Sequence, residues 1–124
     1  MIAIIDYGAG NLFSVKNALD FLGLENKITN SAADLSAADR LILPGVGAFP
    51  DAMRMRGETG LIGVIKEEVR KKPLLGICLG MQMLFEKGYE FGETDGLGLI
   101  PGSVKLMRPA GELPVPHIGW NSLE

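Results

Sequence analysis

The chain has 124 residues, a formal net charge of −3, 47% hydrophobic residues and 22% charged ones. That is room for one modest domain, and Lys and Arg scattered through an acidic balance exclude a nucleic-acid partner as a first choice. No apolar run is long enough to cross a bilayer, MIAIIDYGAG lacks the basic flank of a signal peptide, and the one cysteine excludes an internal disulfide and fits a reducing, cytoplasmic compartment.

Residues 1–6 (MIAIID) form an apolar run closed by an acid, the pattern of a strand buried on both faces. Asn11 then suits a helix N-cap, with Leu12, Val15, Leu19 and Leu22 on one face and Gly23 as the stop. A short, more exposed strand is expected over 25–29 and another over 39–43, closed by Pro44 and the loop GVGAF. Residues 60–72 read as a helix with Leu61, Ile65 and Val69 inward, and with Arg70, Lys71 and Lys72 at its cation-favouring end. Pro73 ends it, and 74–77 is the next strand.

Strands and helices alternating at this spacing predict an open, mostly parallel α/β sheet with right-handed crossovers. Ligands gather beyond the carboxyl ends of such strands, where YGAGN, PGVGAF and the cysteine turn all fall. After Phe85 the pattern changes. Short strands are expected over 97–100 and 103–107, with Pro101-Gly102 as a turn between them, and 115–123 as a further extended segment. This region reads as an antiparallel excursion. The chain stops at Glu124 with fewer strands than a doubly wound sheet usually has, so 1–124 is expected to be a domain incomplete at its C-terminus.

Gly76-Ile77-Cys78-Leu79-Gly80 has the form G-x-C-x-G, the thiol version of a nucleophile elbow. A sharp strand-to-helix turn strains the backbone of its central residue and lifts that side chain out of the sheet. A Cβ two residues to either side would collide with the strand or the helix, so glycine is required there. The amide of Leu79 would then point where an oxyanion forms. The competing reading is a buried structural cysteine; the paired glycines at the junction favour the nucleophile.

Pro44-Gly45-Val46-Gly47 follows a strand, and its glycines allow a backbone N–H to approach a ligand. It could supply a second oxyanion donor, or be a simple turn. Gly8-Ala9-Gly10-Asn11 has the wrong spacing for a dinucleotide loop, since no third glycine follows; its polar tip, Asn11, suggests a contact residue.

The segments DYGAGN (6–11), PGVGAF (44–49), GICLGMQ (76–82) and PHIGWN (116–121), in this order, resemble the glutamine amidotransferase subunits of imidazole glycerol phosphate synthase, members of the triad-type class I glutamine amidotransferase family. The resemblance spans all 124 residues but only the N-terminal part of such a subunit, and it implies a flavodoxin-like fold. By resemblance, Cys78 matches the nucleophile that attacks the side-chain amide of glutamine, giving a glutamyl thioester and ammonia. Leu79 matches an oxyanion donor, and Gly45, Val46 and Gly47 the oxyanion strand, where the resemblance implies that one peptide has to flip before its N–H faces the site. Gln82 and Glu90 match residues that hold the substrate, although Glu90 also reads as a solvated surface carboxylate. Asn11, Trp120 and Asn121 match contacts to a partner synthase, a (β/α)₈ barrel that receives the ammonia through a channel; for Trp120 the alternative is core packing. No cofactor and no metal are implied.

One departure stands out. The family completes its triad with a His-Pro-Glu-like segment, whereas the only histidine here, His117, lies in PHIGWN, which in the family is near the partner surface. Cys78 therefore lacks a base and an orienter, and negligible glutaminase activity is expected of this chain alone. The incomplete sheet is expected to leave an apolar edge open to self-association. Alternatives are an amidotransferase serving another pathway and a non-catalytic module that binds the barrel.

Overall fold

The computed structural model describes all 124 residues. Ile2–Ile5 (β1) is buried along its whole length and lies at the middle of a four-stranded parallel sheet ordered β2-β1-β3-β4. Its neighbours are β2 (Asn26–Thr29) and β3 (Arg40–Leu43), and β4 (Leu74–Gly76) pairs with β3 at the edge. The chain leaves β1 to one side and returns past it to β3. Beyond the carboxyl ends of β1 and β3 there is thus a topological switch point, where such sheets hold ligands.

Alternation along β1 assigns the two faces. Ile2 and Ile4 join Leu19 and Ile42 beneath α1 (Leu12–Phe21), with Leu12, Val15 and Ile28 around them. Ala3 and Ile5 face the larger core, shared with Leu35, Leu41, Leu43, Phe49, Ala52, Leu61, Ile65 and Leu79. Three helices enclose that side: α2 (Ala32–Ala37), α3 (Phe49–Thr59) and α4 (Leu61–Glu68). The first face is covered by α1 alone. Leu75, paired with Ile42 on that face, is 57% exposed.

Asn11 caps α1 as expected, its side chain accepting from Ser14 N at 3.4 Å, and Gly23 turns the chain at φ 70°. Leu22 is a correction: it is the C-cap residue and points to solvent. Two helices escaped the sequence reading. In α2, Ser31 accepts from Asp34 N at 3.4 Å, an N-cap within a stretch too short to show a period. In α3, Pro50 lies in the first turn, where proline costs no hydrogen bond, and polar residues mask a narrow buried stripe of Phe49, Ala52 and Arg56. Gly60, at φ 72°, ends α3 and begins α4. Helix α4 stops at Glu68, so Arg70–Lys72 lie beyond it. From there Lys72 donates to Leu35 O and Ser36 O, both at 2.8 Å, satisfying carbonyls at the end of α2.

After β4, the single turn α5 (Leu79–Gln82) leads into a small second sheet, β6-β5-β7. Strand β5 (Phe85–Gly88) pairs antiparallel with β6 (Thr94–Asp95) and parallel with β7 (Ile100–Val104). Pro101 and Gly102 are therefore not a turn between two strands but lie within one. Proline is tolerated because β7 is an edge strand. Gly102, at φ 116°, sits beside a register shift between Phe85 and Lys87. Residues 115–123 form no strand and are exposed throughout. No helix is long and apolar enough to cross a membrane.

Candidate active site

Cys78 occupies the corner between β4 and α5 with φ 55° and ψ −118°, a conformation that costs a side-chain-bearing residue about 1–3 kcal/mol. The residue is exposed and its thiol is free. The flanking glycines are required by close backbone approach on both sides. A Cβ on Gly76 would lie 2.6 Å from Met81 Cα, and one on Gly80 would lie 1.9 Å from Leu43 O. Strain at the central residue is thus held in place by strand–helix contacts that admit no larger residue.

The Pro44–Gly47 loop leaves β3 directly beside this corner. A Cβ on Gly45 would meet Gly80 N at 2.6 Å and the Tyr7 hydroxyl at 2.7 Å. Gly47 has φ 99°, and Val46 is exposed. The amides of Gly45, Val46, Gly47 and Leu79 donate to no acceptor within the chain. Unpaired N–H groups in loops next to a thiol-bearing corner are the kind of donors an oxyanion site requires. The first loop closes the third side: Gly10, at φ 116°, would bring a Cβ within 3.4 Å of Gly45 N.

A model of the family "Glutamine amidotransferase class-I" matches residues 3–122. The chain belongs to the class-I glutamine amidotransferase family. Among curated relatives of this amidotransferase domain, the imidazole glycerol phosphate synthase subunit HisH of Oceanobacillus iheyensis is 54% identical, with 100% of this chain and 61% of that one covered. The subunit HisH of Listeria monocytogenes is 52% identical over 100% of this chain and 60% of that one. The subunit HisH 2 of Vibrio vulnificus is 54% identical over 98% and 58%. The amidotransferase chain here thus spans about three fifths of the length of the curated relatives it matches. A crystal structure of a glutamine amidotransferase superposes with a TM-score of 0.67 at 25% identity, covering 80% of this chain and 53% of that one. The flavodoxin-like fold read from the sequence agrees with this likeness and with the parallel sheet.

The remaining amidotransferase positions fall into two groups. Gln82, at the end of α5, and Glu90 line one cavity of about 490 Å³ together with Val104, Lys105, Leu106, Met107, Val115 and Pro116. Cys78 is not part of that wall. Glu90 is also more than a solvated carboxylate, since Oε2 accepts from Phe49 N at 3.2 Å and caps α3 from outside the helix. Asn11 is exposed and tied to its capping bond. Trp120 is fully exposed among these 124 residues, and Asn121 is bonded to the His117 ring at 2.7 Å. No group of three or more His, Cys, Asp or Glu residues is gathered as metal ligands would be.

Sequence reasoning missed Tyr7 and Arg56. Tyr7 is buried, and its hydroxyl donates to Pro44 O at 2.8 Å. Burial pushes its phenol up, while the Arg56 guanidinium opposes that shift. A signal for Arg56 was available: the spacing 49, 52, 56 places it on the apolar stripe of α3.

Proposed function

We propose that this chain is the nucleophile-bearing part of a glutaminase subunit of imidazole glycerol phosphate synthase, acting in histidine biosynthesis in the cytoplasm. The observation that carries the reading is the strained Cys78 corner with unpaired amides around it. Thiolate attack on the side-chain amide of glutamine would place the developing oxyanion toward the amide of Leu79 and one of the amides of Gly45–Gly47. Gln82 and Glu90 would hold the α-amino and α-carboxyl end of the substrate, the shared cavity being the support for this pairing. The ammonia released would pass to a (β/α)₈-barrel synthase docked over Asn11, Trp120 and Asn121. Full exposure of Trp120 suits an aromatic anchor at an interface.

The single histidine is bonded to Asn121 in the tail, and no side chain hydrogen-bonds the Cys78 sulfur. With no base to take the thiol proton and no acid to protonate the leaving amine, these 124 residues alone turn over glutamine negligibly. Binding and nucleophile preparation are therefore read by covalent trapping. An electrophilic glutamine analogue should modify Cys78 faster than it modifies a free thiol, and glutamine should protect against it. Modification at the free-thiol rate, with no protection, would overturn the reading.

A further inference from the structure

Arg56 lies on the inward stripe of α3 and is fully buried. No carboxylate meets it. Nη1 lies 3.9 Å from Met53 Sδ, and Nε and Nη2 have no hydrogen-bond partner. A buried, unpaired guanidinium costs folding free energy, and burial lowers its pKa to about 10. Besides that sulfur, its compensating contact is with Tyr7, whose ring centroid is 4.5 Å from the guanidinium carbon.

Tyr7 leads from this charge to the site. Its hydroxyl donates to Pro44 O at 2.8 Å. The same oxygen would stand 2.7 Å from a Cβ on Gly45, a point itself 2.6 Å from Gly80 N. The phenol oxygen therefore sits where the glycine loop meets the cysteine elbow. In a trans peptide the N–H points opposite the carbonyl, so holding Pro44 O toward Tyr7 turns Gly45 N–H away from it.

We propose that Arg56 is a positioning residue: through Tyr7 it latches the Gly45–Gly47 loop, and it holds positive charge against the Tyr7 ring, next to where the loop meets the cysteine elbow, so that negative charge on the sulfur or on a bound carbonyl oxygen is favoured there. Its catalytic meaning rests on the glutaminase reading, whereas its effect on the thiol does not. The charged groups around the cluster are few. Arg56 and Tyr7 act on each other, and Tyr7 also feels Cys78. Asp51, Arg54 and Glu58, on the outer side of α3, pair among themselves in solvent. Asp6 accepts from Gly8 N, and Glu90 from Phe49 N.

Alkylation of Cys78 by iodoacetamide, followed in the 124-residue chain from neutral to alkaline pH, tests the proposal. Arg56→Met should react about three- to tenfold more slowly near neutral pH, with the deficit closing as the pH rises until the thiol is ionised in both proteins. Arg56→Lys, which keeps the charge, should recover at least half of the lost rate, and Tyr7→Phe, which keeps that charge and loses only the bond to Pro44 O, should be slowed less than Arg56→Met. A ratio constant at every pH, an unchanged rate, or a Lys variant as slow as Met would reduce Arg56 to packing and overturn the proposal. Should Arg56→Met fail to fold, Arg56→Gln against Arg56→Lys gives the same comparison. Glutamine protection of the unaltered chain is scored separately. Its absence beside an intact Arg56 effect would sink the glutaminase reading and leave the charge effect standing, and the converse result would do the reverse.

Discussion

A Cβ on Gly80 would lie 1.9 Å from the carbonyl oxygen of Leu43. The end of β3 and the first turn of α5 thus touch backbone to backbone, and Ile77 N closes the junction by donating to that same oxygen at 2.9 Å. Neither partner is a flexible side-chain end, so relief requires the turn to move off the sheet. Gly80→Ala should cost about 3 kcal/mol or more, at the upper end for overpacking, and should bring Cys78 reactivity down to that of a free thiol. Urea unfolding monitored beside thiol labelling checks both. A loss below about 1 kcal/mol would mean that the corner is not pinned.

Strain at Cys78 has its own signature. At φ 55° and ψ −118° the residue lies outside the regions open to side-chain-bearing residues. Glycine there relieves the strain but gains entropy in the unfolded chain, and the two effects partly offset. Cys78→Gly should therefore be more stable than Cys78→Ala by about 1 kcal/mol. Equal thermal midpoints for the two variants would show an unstrained corner.

The legible parts of the fold were those in which local pattern and tertiary environment agree. β1 is a continuous apolar run because both faces are covered, and α1 carries its own cap at Asn11. G-x-C-x-G was legible because each letter answers a steric demand of one corner. The illegible parts depend on distant partners. Phe49–Thr59 hides its helix because its N-terminus is capped by Glu90, 41 positions away. Ile100–Val104 hides a strand because Pro101 and Gly102 are allowed only by its edge position and a register shift. The Arg56–Tyr7 pair joins α3 to the loop after β1, and no short window contains both.

The acid side of the stability curve should report Glu68. Its carboxylate takes Lys72 Nζ at 2.9 Å and the Ser36 hydroxyl at 3.0 Å, in that order of influence, and these hold its pKa below the ordinary value of 4.5. The unfolded chain then binds the proton first as pH falls. Stability from this contact is present above about pH 4.5 and is lost as the pH falls through the lowered folded-state value. Glu68→Gln should lower the thermal midpoint near neutral pH and flatten its decline below about pH 5. Asp20, Asp34 and Asp39, also held low by their partners, leave a residual slope. An acid limb unchanged in the variant would remove Glu68 from this role.

Arg56 sets stability against chemistry. Replacing an unpaired buried cation by an apolar side chain of similar length removes a desolvation cost and keeps most of the packing. Arg56→Met should raise unfolding stability by about 1–3 kcal/mol, the range seen when buried charges give way to apolar residues, even as Cys78 labelling slows. A variant destabilised by a similar amount would mean that the guanidinium is better satisfied than its geometry indicates.

On the α1 side of the sheet, apolar cover ends before the edge. Ile2, Leu19, Ile42 and Leu75 line a groove of about 280 Å³ with Pro73 and Leu74, and Leu75 stands 57% exposed on an edge strand. An open strand beside apolar side chains is a template for a second copy of the same chain. Leu75→Lys puts a charge on that surface without touching the larger core, because Leu75 faces the side opposite to Leu41 and Leu43. Unfolding stability should stay within about 0.5 kcal/mol, the usual range for an exposed site, while the concentration at which the chain self-associates rises severalfold. Sedimentation velocity over a dilution series makes the comparison. Monomers in both proteins at every concentration, or equal association in both, would overturn the expectation that this edge mediates self-association.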